Sequence, residues 1–243
     1  MRIAIDTHTH SVASGHAFST VEEMARAARR KGLYGFVLSD HGPALEGGTH
    51  RYHFSNMRVL PEKLHGVRLY RGVEANIMDR SGGLDLDPYY LSKLDFVMAG
   101  LHELCLEPGT AEENTRALEA ALANPYVDAV SHPGNPSYPI DFRRVVESAK
   151  KNGKAIELNA SSLRIRKGSE EPCQSIAFLC AELGTIVACG SDAHWSGDVG
   201  RVDGALAMAK RAKIPASRIV NARRESFERF IAARRARVGL LAG

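Results

Sequence analysis

The 243-residue chain has few cysteines, one tryptophan and no long apolar segment. Its four cysteines, Cys105, Cys173, Cys180 and Cys189, form no C-x-x-C pair, which argues against a thiolate zinc site. No stretch approaches ~18 uncharged apolar residues, so we expect no membrane-spanning segment. The first ten residues carry Asp and His early instead of an apolar run. We therefore expect no secretory signal. We also expect the protein to be cytoplasmic and its cysteines to be buried free thiols.

The chain also lacks a strong excess of charge of either sign. Its formal net charge is +4, which is compatible with anionic substrates but does not demand nucleic acid. No stacking platform for single strands is evident, so nucleic acid is not the expected partner. We interpret the C-terminal arginines as a solvated helix face; they are Arg223, Arg224, Arg229, Arg234, Arg235 and Arg237.

Apolar, β-rich runs alternate with amphipathic helical stretches along the chain. The predicted strands cover residues 2–6, 35–39, 67–73, 96–99, 127–130, 154–158 and 185–189. Capping boxes at Ser19–Glu22 and Thr110–Glu113 predict helices over 21–30 and 111–123. Further helices are predicted from Asp141 to about Gly153, up to Gly184, and over 201–212 and 222–237. This alternation indicates one α/β domain over residues 1–243 with a parallel sheet, either open or closed into a barrel.

Polar side chains gather where these predicted strands end. The nine candidate metal ligands are His8, His10, His16, His41, Glu74, His102, His132, Asp192 and His194. Because side chains two apart on a strand share a face, we expect Asp6, His8 and His10 to point into the lumen, and Ile5 to face the helices. Reactive residues of βα barrels lie at these carboxyl ends.

A lone histidine at a strand end is ordinarily a hydrogen-bonded surface or core residue. Nine imidazole and carboxylate groups together are costly to bury unless metal ions neutralise the carboxylates. Nine is too many for one ion and suits two or three, of zinc, manganese or iron. Glu74 could bridge two ions, and Asp6 and Asp40 could orient imidazoles.

Six motifs, in order, resemble those of the PHP (polymerase and histidinol phosphatase) family. They are D-T-H-T-H-S, S-D-H-G, G-V-E-A-N, A-G-L-H-E, S-H-P-G-N-P and G-S-D-A-H, and the resemblance extends from residue 3 to about 234. Residues 52–58 and 166–170 resemble the family's small stand-alone YcdX-type phosphatases. The resemblance implies a distorted (βα)7 TIM-like barrel that hydrolyses phosphoric monoesters with a trinuclear metal site.

The resemblance also implies how the ligands are shared among three divalent ions, usually zinc, with manganese or iron as alternatives. One ion would be bound by His8, His10, Glu74 and Asp192, which would hold a metal-bridging water. A second would be bound by Glu74, His102 and His132, and a third by His16, His41 and His194.

A small phosphorylated substrate would meet basic side chains near the rim. The candidates are Arg51, His53, Arg166 and Lys167, and Asn159 could contact substrate or cap the following turn. Three other functions remain open: a phosphodiesterase or exonuclease, an amidohydrolase-like C–N hydrolase, and a non-enzymatic metal-binding module. The physiological substrate, the native metal and whether the chain forms a homo-oligomer are not readable from the sequence.

Overall fold

The computed structural model of the protein describes residues 1–239. Its strands are β1 (Ile5–Thr9), β2 (Gly35–Leu38), β3 (Lys63–Leu64), β4 (Val67–Asn76), β5 (Phe96–Gly100), β6 (Ala129–Val130), β7 (Ala155–Asn159) and β8 (Val187–Gly190). Its α-helices are α1 (Val21–Arg30), α2 (Arg51–Asn56), α3 (Pro88–Leu91), α4 (Ala111–Ala123), α5 (Phe142–Lys151), α6 (Ser162–Ile165), α7 (Glu170–Leu183), α8 (Asp203–Arg211) and α9 (Arg224–Gly239). Within this range no helix is both long and apolar enough to cross a membrane.

Seven strands form a parallel sheet in chain order, β1-β2-β4-β5-β6-β7-β8, and the short β3 pairs antiparallel with β4. The sheet nearly closes, because β1 meets the segment after β8 through a bridge between Thr9 and Ala193. Below that bridge Asn221 lies between the two strands, where its Nδ2 donates to the carbonyls of Ile5 (2.7 Å) and Cys189 (2.8 Å). The predicted distorted (βα)7 TIM-like barrel is confirmed.

Strand alternation divides the core into two parts. One side of each strand packs against the surrounding helices, and the other side fills the lower lumen. The lumen residues are Ile5, Val37, Tyr70, Phe96, Met98, Ala129, Ala155 and Ala188, together with Val220, Phe227 and Ile231. Helix α9 supplies Phe227 and Ile231, so it plugs the amino-terminal end of the barrel and leaves the carboxyl end to the polar residues.

Local capping signals position most of the helices. The Thr110–Glu113 box before α4 is confirmed, and Asp141 caps α5 by accepting from the backbone of Arg144. The box before α1 uses Thr20 and Glu23, so the predicted pair Ser19–Glu22 was wrong by one position. Thr20 has the extended backbone that a capping residue needs, and its hydroxyl accepts from the Glu23 N–H.

The first strand differs from its prediction in both extent and facing. It begins at Ile5 instead of Arg2, and Ile5 lies in the lower lumen, where we had expected it to face the helices. Asp6 pairs with Phe36 and Thr9 pairs with Leu38, so β1 has one extra residue in this stretch. Such a bulge reverses the facing of the residues beyond it, which brings His8 into the lumen.

We had predicted that the C-terminal arginines form a solvated helix face, but one of them is buried. Arg234 is only 1% exposed, and its Nε lies 2.8 Å from Oδ2 of Asp128. Its neighbour Arg237 also pairs with Asp128, while Arg235 and Arg224 remain exposed. All four cysteines are free, and all but the partly exposed Cys105 are buried, which confirms that prediction for three of them.

Candidate metal centre

Glu74, near the end of β4, is the centre of the polar cluster. Its carboxylate is fully buried and lies within 3.5 Å of five imidazole rings. Its Oε2 faces Nε2 of His8 (3.1 Å), Nε2 of His10 (3.5 Å) and Nδ1 of His41 (3.2 Å), and its Oε1 faces Nε2 of His102 (3.4 Å) and of His132 (2.8 Å). One carboxylate is therefore shared by ligand groups on two sides, as a bridging ligand requires.

Three overlapping groups of side chains have the compactness of a metal site. They are His10–His41–His194, His8–His10–Glu74 and His41–Glu74–His102, and in each the ligand atoms lie within 4.8 Å of one another. Three buried ring nitrogens in these groups, Nε2 of His10, Nδ1 of His41 and Nε2 of His102, have no hydrogen-bond partner among residues 1–239. Buried polar atoms are rarely left unpaired, so these residues fit bound cations.

The electrostatics of the cluster favour a cation in the same way. Desolvation lowers the pKa of His10 to about 4 and that of His41 well below its usual range, so both rings offer free lone pairs at neutral pH. Burial opposes ionisation of Glu74 and Asp192, but the positive charge of nearby imidazoles, above all that of His8, outweighs it and holds the pKa of each carboxyl well below its usual range. Burial also opposes the charge on His8, but Glu157, Glu74 and Asp192 raise the pKa of this ring well above its usual range. A divalent ion beside these ionised carboxylates would take the place of that positive charge and bind the neutral form of the imidazoles.

Contacts on the far side of several rings set their orientation. Nδ1 of His102 lies 2.7 Å from Oδ1 of Asn76. Nδ1 of His10 lies 3.2 Å from Oγ of Ser14, which donates to Asp40 at 2.7 Å. Asp40 therefore contacts the His10 ring through a serine, not directly.

Asp6 and His53 make contacts that differ from their predicted roles in orienting an imidazole and in binding substrate, respectively. The Asp6 carboxylate accepts from Ser191, from the backbone of Gly200 and from the backbone of His8, and bonds no imidazole ring. His53 lies behind the cluster, with its Nε2 3.2 Å from Oδ2 of Asp40. The two residues hold the loops beside the cluster, and any orienting role of Asp6 would act through the backbone N–H of His8.

His16 reaches the cluster from a loop. It follows a short 3-10 helix over Val12–Ser14 and Gly15, whose φ of 78° lets the chain turn back. The His16 ring stacks near His41 and His194, with centroids 5.1 and 4.7 Å away. Its Nε2 lies 2.9 Å from Nε2 of His194, so the fold brings all nine predicted ligand residues to one end of the barrel.

The sequence interpretation assigned no site role to Glu157 of β7. This buried carboxylate lies 2.7 Å from Nδ1 of His8 and accepts from the backbone N–H of His132. The signal that could have found it is the I-E-L-N alternation, which puts Glu157 and Asn159 on one face of a buried strand. Asn159 lies beside it and donates to Glu157 (3.1 Å) and to Asp192 (3.2 Å).

A cleft of about 710 Å³ opens over the cluster. Of the predicted substrate residues, Arg166 lines this cleft, where it pairs with Asp192 at 3.3 Å. Arg51 and Lys167 are exposed and are not part of the lining. Much of the wall is apolar, from Leu45, Leu101, Leu104, Ile165 and Trp195.

Comparison with known proteins identifies the family and agrees with the fold. The PHP domain family model matches residues 6–161. A probable phosphatase of Acetivibrio thermocellus is 50% identical over 98% of this chain and 99% of its own, and one of Caldanaerobacter subterraneus is 49% identical over 98% and 95%. The chain belongs to the PHP domain family. Because these probable phosphatases are similar to it over almost their full length, the protein is classed as a phosphatase, that is, a phosphoric monoester hydrolase.

Solved structures show the same fold at low sequence identity. The histidinol phosphate phosphatase of Lactococcus lactis, solved with zinc, L-histidinol and phosphate, has a TM-score of 0.64 over 87% of this chain and 94% of its own, at 16% identity. A chain of an archaeal ribonuclease P, solved with mature tRNA, has a TM-score of 0.55 over 95% of this chain and 90% of its own, at 15% identity. These similarities establish the fold alone.

Proposed function

We propose that the protein hydrolyses a small phosphorylated substrate at a centre of three divalent metal ions. The observation that carries the proposal is the position of Glu74, whose two oxygens face separate groups of imidazoles. Asp192 adds a second carboxylate, 3.5 Å from His8 and 3.4 Å from His10. Nine candidate ligands, of which one is the shared carboxylate, exceed the need of a single ion.

Each ion has its own residues in this proposal. The first set is His8, His10, Glu74 and Asp192, the second is Glu74, His102 and His132, and the third is His16, His41 and His194. Such ions, when bound, lower the pKa of water and stabilise the negative charge that develops as the phosphate ester breaks. The zinc in the Lactococcus lactis enzyme supports zinc as the metal, with manganese or iron as alternatives.

The protein's own residues bind and orient the substrate. The Arg166 guanidinium lines the cleft beside Asp192 and can donate N–H groups to phosphate oxygens while it keeps its contact with Asp192. Asn159 keeps Asp192 in place through its amide, which makes it a positioning residue here. His53, Arg51 and Lys167 stay candidate substrate residues for ligands larger than the cleft.

The apolar wall of the cleft would receive the alcohol part of the ester. Trp195 is 55% exposed and follows His194 directly, so its indole stands beside the proposed third ion. Leu104 and Ile165 are also more than half exposed. Apolar side chains left open beside a charged centre favour a leaving group with an apolar or aromatic part.

Metal removal and reloading test the proposed function. Protein stripped with a chelator should lose hydrolysis of p-nitrophenyl phosphate and recover it with zinc or manganese, with metal content measured in the same samples. A folded His8→Ala, Glu74→Ala double variant should be inactive after reloading. Full activity in the metal-free protein, or in that double variant, would contradict the proposal.

Nucleic acid is the second substrate class to test. The exposed Trp195 at the cleft could stack on a base, although it is one side chain and not a platform. Hydrolysis of a mononucleotide should exceed that of a single-stranded oligonucleotide at equal phosphate concentration. Faster cleavage of the oligonucleotide would favour a phosphodiesterase.

A further inference from the structure

Glu157 is a fully enclosed carboxylate at the edge of the metal centre that the proposed ligand sets do not use. Its Oε1 lies 2.7 Å from Nδ1 of His8, and its Oε2 accepts from the backbone N–H of His132 (2.8 Å) and from Nδ2 of Asn159 (3.1 Å). We propose that Glu157 is a positioning residue that fixes the proton of His8 on Nδ1 and holds His132 in place, so that both rings direct Nε2 at Glu74. This inference rests on the proposed metal centre.

The chemistry of the carboxylate determines which nitrogen of His8 is the ligand. An ionised carboxylate only accepts hydrogen bonds, so the ring nitrogen that faces Glu157 must carry a proton. That nitrogen is Nδ1. Nε2 faces Glu74 at 3.1 Å and Asp192 at 3.5 Å, so it is the nitrogen that would give up its proton and bind an ion held by these two proposed ligands. Carboxylate-to-histidine contacts of this kind fix the tautomer of metal-binding imidazoles and raise their basicity.

The second oxygen of Glu157 acts on the backbone of His132. His132 has a φ of 31°, in the left-handed region that a residue with a side chain rarely adopts. Such a backbone persists only where surrounding contacts hold it, and the bond to the Glu157 carboxylate is one of them. The same residue, His132, reaches Glu74 with its Nε2 at 2.8 Å. One side chain therefore positions ligands on both sides of the bridging carboxylate.

Gly190 at the end of β8 provides the space that this arrangement needs. A Cβ at position 190 would lie 2.2 Å from Oε1 of Glu157 and 2.6 Å from Cβ of His8. Its φ is not in the left-handed region, so an alanine there would be excluded by contact and not by backbone strain. A substitution at Gly190 thus disturbs the Glu157–His8 pair while it leaves both side chains unchanged.

The substitution Glu157→Gln separates the tautomer effect from the loss of volume. At the Oε2 position an amide NH2 would meet two donors, His132 N–H and Asn159 Nδ2, whereas at the Oε1 position it would meet only His8. The amide nitrogen should therefore face Nδ1 of His8 and donate a hydrogen bond to it. The proton of His8 would then lie on Nε2, where it competes with the metal for this nitrogen. We expect the zinc dissociation constant of the site that contains His8 to rise about 10- to 100-fold.

Chelator competition on the full-length protein, with zinc counted per chain, tests this role. Gly190→Ala should weaken zinc binding in the same direction as Glu157→Gln. Tyr70→Phe is the matched control, because the Tyr70 hydroxyl lies buried in the lower lumen without a hydrogen-bond partner and away from the site. It should leave zinc affinity within twofold of wild type.

A second readout is the position of the proton on His8, which can be measured first in the wild-type protein. In the zinc-loaded wild type, nitrogen NMR of the imidazoles should show His8 with an exchange-protected Nδ1–H, and Glu157→Gln should lose that signal. Folded Glu157→Gln or Gly190→Ala with wild-type zinc affinity, or a wild-type His8 without a proton on Nδ1, overturns the role of Glu157. Wild type that binds no zinc at all would instead refute the proposed metal centre.

Discussion

Replacing Glu74 by glutamine is the sharpest test of the proposed centre, because it keeps the shape of the side chain and removes its charge. The carboxylate faces five ring nitrogens at 2.8–3.5 Å, and in the proposal it is a ligand of two ions. The carboxamide offers one oxygen instead of two and no charge. At least one of the two ions should then lose its bridging ligand.

The size of the effect follows from what one preorganised electrostatic contact contributes. Loss of a single such group typically costs about 3–4 kcal/mol of transition-state stabilisation, which is roughly 10²- to 10³-fold in rate. Because Glu74 serves two ions, we expect kcat/KM for p-nitrophenyl phosphate to fall by about 10³-fold or more. Zinc per chain should also fall in the same preparation.

Glu103→Gln is the matched control for this experiment. Glu103 lines the same cleft, is exposed and makes no ion pair with the imidazoles, so the identical chemical change should leave kcat/KM within about twofold. A folded Glu74→Gln protein with a full complement of zinc and a kcat/KM within tenfold of wild type would refute the bridging role of this residue.

Three further predictions concern regions around the centre. Burial lowers the pKa of Lys154 from 10.5 to about 8, so the unfolded state binds more protons than the folded state between these pH values. The free energy of unfolding, measured with urea, should therefore rise by up to about 3 kcal/mol from pH 8 to 10.5. Lys154→Met should flatten that rise. Asp128→Asn leaves the buried Arg234 without its partner and should cost about 3–5 kcal/mol in unfolding free energy, whereas Glu228→Gln, in an exposed pair, should cost less than about 0.5. Trp195→Ala should raise KM for p-nitrophenyl phosphate about 2- to 10-fold and leave glycerol phosphate hydrolysis unchanged; equal effects on both substrates would argue against contact with the aromatic ring.

Several features of the fold were predictable because they depend on short-range patterns. The Thr110–Glu113 box and the left-handed Gly184 at the end of α7 involve atoms only a few residues apart. The nine candidate ligands were also identifiable, because parallel strands bring their carboxyl ends to one rim whatever the details of packing. The metal-binding character of that rim therefore follows from the sequence pattern.

Other features could not be predicted from local pattern. The extra residue in β1 depends on how that strand pairs with β2, and it places both Ile5 and His8 in the lumen, which simple alternation does not allow for residues three apart. The burial of Arg234 depends on Asp128, which is 106 positions earlier in the chain and meets it only when α9 closes the barrel. Neither partner is distinguishable from a surface charge by its neighbours in sequence.

The candidate metal ligands were thus determined by the sequence, through residue type and spacing at strand ends. Tertiary structure decided which nitrogen of each ring points inward and what holds it there. Glu157 meets His8 across 149 positions, and His16 meets His194 across 178. The reason is physical: ligand identity is a property of single side chains, whereas orientation and protonation depend on hydrogen bonds between strands that only the closed barrel brings together.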